Sequence, residues 1–183
     1  MYNQQATYFV TFTIVDWVDL LSRKVYRDIV IESLRYCISY KGLKVYSYVI
    51  MTNHIHIIIQ SDGSNTLSNI IRDFKKYTAK EFIETIIKEP ESRREWLLNR
   101  FAINAAQHSR NSNYQIWTHE NHAIEINSHQ FFEQKNNYIV QNPVRAGWVD
   151  KAEDYVYSSA YELCGRGNKI EISFWWGSRE TAL

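Results

Sequence analysis

The hydrophobic pattern changes period several times along the chain. Residues 7 to 15, TYFVTFTIV, are dense in Thr, Phe, Val and Tyr and predict a strand. From Ser22 to Tyr40 the spacing turns helical, with Val25, Ile29, Val30, Leu34 and Ile38 on one stripe and Lys41-Gly42 as a stop. LKVYSYVIM, 43 to 51, predicts a second strand. Thr52-Asn53 is a short break before a third strand from His54 to Gln60, so a hairpin is expected. SDGSN, 61 to 65, has turn chemistry and leads into a helix from about Leu67. There Leu67, Ile70, Ile71, Phe74 and Thr78 form one stripe, while Arg72, Lys75, Lys76 and Lys80 crowd another.

Glu89-Pro90 ends that helix, because proline disfavours helical geometry in the residue before it. ESRREWLLNRFAINAA predicts a further helix, 107 to 115 a polar loop, and HAIEIN, 122 to 127, a fourth strand. Ser128 suits the N-cap of HQFFEQKNNYIVQ, which Asn142-Pro143 is expected to close. The order β-α-β-β-α-(α)-β-α, with one hairpin and two crossover helices, fits a ferredoxin-like α+β sandwich: an antiparallel sheet with helices packed on it. Residues 1–143 read as this domain, and 144–183 as a C-terminal extension packed on it. No internal repeat or low-complexity segment interrupts the chain.

Alternation singles out two residues of the third strand. Ile55, Ile57 and Ile59 point one way, and His54, His56 and Ile58 the other. The isoleucines define a core side without the histidines. Two imidazoles two residues apart on one strand face lie ~7 Å apart at the backbone, close enough to converge on one divalent ion. A pair of half-buried, hydrogen-bonded rings is the competing reading, and two ligands do not complete a site.

Composition bounds the function classes. A chain of 183 residues with 45% hydrophobic and 22% charged residues suits one compact domain, and fits neither disorder nor a membrane protein. No apolar run reaches the ~18–20 residues of a spanning helix, and MYNQQATYFV lacks a signal peptide's basic start and cleavage site, so a cytoplasmic protein is expected. Cys37 and Cys164 are too few for a disulfide or zinc framework. With a net charge of +1, any phosphate binding must come from local patches.

A second constellation lies in NNYIVQNPVRAGWV, 136 to 149, where Tyr138 and Asn142 stand at i and i+4 and share a helix face. If that helix crosses the histidine face, Asn142 completes a three-ligand site beside the Tyr138 phenol. Such a centre would polarise a phosphodiester while the tyrosine oxygen attacks in line. Thirteen tyrosines make a packing role for any one of them common, Asn-Pro is ordinary punctuation at a helix end, and Gln141 competes as third ligand.

With these residues in hand, the chain resembles the single-tyrosine HUH transposases, of the insertion-sequence type and the REP-associated tyrosine transposases. MTNHIHIII is similar to that family's Met-Pro-Asn-His-Val-His-Leu strand, with Thr52 where the family usually has proline. YIVQNPVRAGWV resembles its Tyr-Ile-x-x-Asn-Pro-Val-x-x-Gly helix end, and EDYVYSSA its Asp-Tyr-x-x-Ser-Ser segment. The matched parts run from the first strand to about residue 160, and three motifs in order are far more specific than one. The resemblance implies a ferredoxin-like fold, a divalent metal (Mg2+ or Mn2+) on His54 and His56, and Tyr138 as nucleophile on single-stranded DNA, often beside a hairpin or repeat. Asn142 falls where insertion-sequence relatives carry a metal-binding glutamine and REP-associated ones an asparagine.

Single-stranded DNA needs a cationic track and flat side chains. Arg72, Lys75, Lys76 and Lys80, with Arg145 beyond the tyrosine helix, are the candidates for phosphate contacts; a solvated helix face is the competing reading. His119 and His122, near Trp117, are candidates for the edge of the site. The expected function is a metal-dependent DNA endonuclease and strand transferase acting as monomer or homodimer. The alternatives are a catalytically silent DNA-binding regulator of the same fold and a metal-dependent hydrolase without a covalent intermediate.

Overall fold

A computed structural model describes residues 3–107 and 113–175; the centre of the 107–115 loop and the tail from Trp176 lie outside the described residues. Strands β1 (Tyr8–Thr13), β2 (Leu43–Ile50), β3 (His54–Ser61) and β4 (Ile124–Glu125) form one antiparallel sheet in the order β2-β3-β1-β4. Helices α1 (Lys24–Lys41) and α2 (Leu67–Lys88) follow β1 and β3, α3 (Arg94–Ala106) follows α2, and α4 (His129–Val140) follows β4. Two short helices, α5 (Asn142–Arg145) and α6 (Ser159–Leu163), complete the described chain. This is the ferredoxin-like α+β sandwich that the periodicity predicts.

Local chemistry sets the boundaries. Gly42 takes the left-handed conformation at φ 71° and donates its N–H to Cys37 O, a glycine cap that stops α1 and turns the chain into β2. Thr66 caps α2 through Asn69 N, and Ser128 caps α4 through Phe131 N. The β2–β3 hairpin closes on Met51 N donating to His54 O at 2.8 Å. β1 is shorter than expected: the chain leaves the sheet at Ile14 and makes a tight turn over Val15–Trp17. β4 keeps two paired residues of the six expected, with His122 at φ 41° breaking the extended backbone before it. Asn142-Pro143 does not stop the chain's helical course. After Gln141 it starts α5, where a proline in the first turn sacrifices no hydrogen bond.

Register fixes the two faces of the sheet. Thr11 pairs with His56, Phe9 with Ile58 and Thr13 with His54, so these six share one face. Tyr8, Val10 and Phe12 share the other with Ile59, Ile57 and Ile55. Phe12 meets Phe74 of α2 at 5.2 Å between centroids, and Tyr26 of α1 meets Phe82 of α2 at 5.8 Å, so α1 and α2 close that second face. Across the sheet, α4 lies on the first face through Phe132 against Tyr46 and Tyr138 against Phe9.

The chain beyond α5 shields the outer edge of β2. Ile50 N donates to Tyr157 O, the Tyr155 hydroxyl donates to Ile50 O, and Ser173 N donates to Val45 O. Ser158 and Ser159 are fully buried; the Ser159 hydroxyl sits 3.1 Å from that of Ser47 and accepts from Tyr48 N. An edge strand left open is a template for aggregation, and here it is covered. Trp175 then stacks on Phe132 at 4.5 Å and 3°. Among the described residues, no helix is long and apolar enough to cross a membrane.

Candidate functional site

β3 places His54 and His56 on the face beneath α4, with ring centroids 4.6 Å apart. His56 is 7% exposed and stacks on Phe9 at 5.5 Å. Burial, then the neighbouring charges of His54, Arg145 and Lys135, push its imidazolium down to about 3; burial also lowers His54. Both rings are therefore neutral at physiological pH, the form that binds a metal.

Each Nδ1 has its own partner. Asn53 Nδ2 donates to Trp17 O at 3.3 Å, which turns Asn53 Oδ1 toward His54 Nδ1 at 2.7 Å. An amide oxygen only accepts, so the proton resides on His54 Nδ1 and the Nε2 lone pair is free. Thr11 Oγ1 lies 2.9 Å from His56 Nδ1, and its hydroxyl can accept in the same way. Such partners orient metal-ligating imidazoles and fix their tautomer. Among the described residues no three His, Cys, Asp or Glu side chains gather to hold an ion, so a centre here needs an amide or the substrate as its next ligand. Two neutral, pre-oriented imidazoles, His56 buried and His54 half-buried, fit a divalent cation that retains open positions.

α4 brings Tyr138 onto this pair from the same chain. Its hydroxyl is 3.4 Å from His56 Nε2, its ring 5.1 Å from that imidazole, and the side chain is 40% exposed. Arg145 holds it from the far side: the guanidinium lies 4.7 Å over the phenol ring and donates to Tyr138 O at 2.7 Å. One turn away, Gln141 and Asn142 are half-buried, and among the described residues no hydrogen bond joins either amide to a histidine. The sequence pattern missed four parts of this site: Thr11, Asn53, Trp17 and Lys135. Lys135, whose ammonium lies 4.8 Å over the Phe9 ring, stands one helical turn before Tyr138, a spacing visible in the sequence. Trp17, 65% exposed, packs edge-on to His54 at 6.0 Å; it falls between the strand predicted to Val15 and the helix predicted from Ser22, where no pattern marks it.

The remaining cations are elsewhere. Arg72, Lys75, Lys76 and Lys80 ride on α2, across the sheet from the histidines. Lys75 donates to Thr118 O at 2.7 Å and to Asn121 Oδ1 at 2.8 Å, and burial pulls its ammonium down to about 8; it anchors the segment before β4. Arg72 pairs with Asp73, and Lys80 with Glu84. Lys76 is exposed. His119 and His122 are exposed in the segment that runs beside β1.

This architecture matches known proteins. A family model described as "Transposase IS200 like" matches residues 4–142. Among solved structures, a REP-associated tyrosine transposase bound to a REP hairpin aligns with a TM-score of 0.62 at 18% identity, covering 94% of this chain and 92% of that one. A chain from Deinococcus radiodurans named as a "putative transposase" aligns with a TM-score of 0.45 at 14% identity, covering 75% of this chain and 91% of that one. No curated protein matches.

Proposed function

The chain belongs to the IS200-like transposase family, and from that premise we propose that it is a metal-dependent endonuclease and strand transferase on single-stranded DNA, with Tyr138 as nucleophile. The observation that carries this reading is the approach of the Tyr138 hydroxyl to 3.4 Å from His56 Nε2, joining the two motifs within one chain. One chain therefore holds both halves of the site, and a monomer suffices; a homodimer that exchanges α4 is the other arrangement the fold permits. Residues 1–143 form the transposase domain and 144–183 its extension.

His54 and His56, with Asn142 or Gln141 as third donor, would hold Mg2+ or Mn2+. When bound, the ion supplies Lewis-acid polarisation of the phosphodiester. The Tyr138 oxygen bonds to phosphorus as the bond to the 3′ oxygen breaks, yielding a 5′-phosphotyrosine and a free 3′ hydroxyl. The phenol gives up one proton and the departing oxygen takes one up, so the exchange balances. One ester replaces another, and a second 3′ hydroxyl can reverse the step and join strands. Arg145 fixes the Tyr138 ring and backbone and, with Lys135, supplies positive charge for the phosphate. Arg72, Lys76 and Lys80, across the sheet on α2, would meet the DNA only where it wraps past the sheet edge. By analogy with the hairpin-bound structural relative, the substrate is DNA with a hairpin or repeat beside its single-stranded part.

The test is to incubate hairpin oligonucleotides, copied from repeats flanking the coding region, with Mn2+ or EDTA and resolve covalent protein–DNA adducts on denaturing gels. An adduct that needs Mn2+ and disappears in Tyr138→Phe is expected. An adduct that persists in Tyr138→Phe sinks the nucleophile assignment. Cleavage without adduct favours the hydrolase, and binding without cleavage the silent regulator.

A further inference from the structure

We propose that Trp17 is a base-stacking platform that seats a nucleobase of the single strand beside the histidine pair. The inference rests on the DNA-cleaving reading above and deepens it by naming a substrate-binding residue outside the family's matched motifs.

Trp17 departs from its surroundings in two ways. Ile14, Val15, Val18, Leu20 and Leu21 around it are each at most 5% exposed, yet the largest side chain of the segment is 65% exposed. Its backbone is also strained: Asp16 and Trp17 both sit in the left-handed region, at φ 53° and 55°. Only glycine adopts that region freely, and a bulky residue there is an outlier. Strain of this kind persists where surrounding contacts over-determine it, and it clusters at functional sites.

The contacts that hold the turn come from three directions. Asn104 Nδ2 donates to the Asp16 carboxylate at 2.8 Å, and Arg100 lies 3.6 Å from the same oxygen, both from α3. Val15 N donates to Ile116 O, and Ile14 N donates to Asn53 O. Asn53 Nδ2 donates to Trp17 O while its Oδ1 faces His54 Nδ1. The turn that projects the indole is thus tied to the amide that sets the His54 tautomer. In this turn the indole stands against His54 at 6.0 Å between ring centroids and is 65% exposed.

An exposed indole presented beside His54 suits the flat face of an unpaired base. Base–aromatic stacking tolerates any base, because each has a π-face, and losing one such contact weakens binding by roughly tenfold or more. Trp17 is a substrate-positioning residue, and base pairs would deny it a partner.

The test uses full-length protein carrying Tyr138→Phe, so that binding is read without turnover. Fluorescein-labelled hairpin oligonucleotides with single-stranded arms serve as probes, with an abasic site walked along the arms. Adding Trp17→Ala is expected to weaken binding about tenfold, and Trp17→Phe to restore most of it. One abasic position should weaken the Trp17 protein strongly and the Trp17→Ala protein little. With Tyr138 restored, Trp17→Ala should raise KM for adduct formation more than it lowers kcat. Equal affinities with and without the Trp17→Ala substitution, or strictly additive abasic effects at every position, overturn the proposal. The same binding pattern with no adduct from the wild-type protein supports stacking and overturns the Tyr138 assignment alone.

Discussion

On the face closed by α1 and α2, Ile55, Ile57 and Ile59 meet Tyr8, Val10 and Phe12, each no more than 4% exposed. On the face under α4, Ile58 is as deeply buried, but its strand neighbours are His54 and His56, set against Thr11 and Thr13. Both faces are covered by helices, the second less tightly, since His54 and Thr11 are only half-buried. They differ in what each polar group does once buried. A hydroxyl or imidazole taken from water must find a partner or lose stability. Here the Nδ1 atoms are matched by Thr11 and Asn53, and the Nε2 of His56 faces the Tyr138 hydroxyl of α4. One face is built for cohesion; the other accepts less favourable groups in order to aim two lone pairs.

The sharpest way to break this comparison is to remove bulk from the cohesive face. Ile57 is fully buried, so Ile57→Ala forfeits transfer energy and opens a cavity, a cost of about 2–5 kcal/mol. Urea denaturation should show the midpoint falling by that equivalent, while adduct formation per folded molecule stays within about twofold. A loss of activity exceeding the loss of folded protein would show that the faces are coupled, and the division drawn above would fail.

A smaller effect tests the histidine face through pH. The folded state holds the His56 imidazolium down to about 3, against an unfolded value near 6.5. Between those values the unfolded chain binds the extra proton, so stability rises with pH across the window and falls as the protein is acidified from about 6.5 toward 3. From pH 7 to pH 5, His56 should remove about 2 kcal/mol of stability from EDTA-treated protein. His54, Lys135 and Arg145 press in the same direction, and the Tyr138 hydroxyl faces the same ring. His56→Gln should flatten the difference between urea midpoints at the two pH values. An unchanged difference would mean that the ring reaches water and takes up its proton freely.

These two faces were unequally legible in the sequence. The alternation of Ile55, Ile57 and Ile59 marks the cohesive face because a strand's period of two is local information. The α4 face depended on a contact between residues 56 and 138, which spacing cannot supply; only the paired motifs pointed to it. Trp17 was hidden for a different reason. It lies between the strand predicted to Val15 and the helix predicted from Ser22, and the left-handed turn after β1 is held by α3 and Asn53, distant in sequence. Lys75 shows the converse. Helical spacing puts it on a cationic stripe, but no pattern reveals that Thr118 O and Asn121 lie within reach of its ammonium.

The smallest effects concern where DNA runs, and they divide the cations by face. Arg145 lies beside Tyr138, whereas Lys76 and Lys80 project from α2 on the opposite side, and Lys80 is already paired with Glu84. For single strands the logarithm of affinity falls against the logarithm of salt concentration with a slope of about 0.7 per phosphate contact. Arg145→Ala, measured in the Tyr138→Phe background, should reduce that slope by about 0.7 and weaken binding at every sequence tested. The Lys76→Ala/Lys80→Ala double variant should change the slope less, and its folding stability by less than about 0.5 kcal/mol. A larger slope change from the α2 pair would mean that the nucleic acid wraps past the sheet edge onto the cohesive side. The α2 cations would then belong to the DNA track, and the histidine face would be only the part of it where the strand is cut.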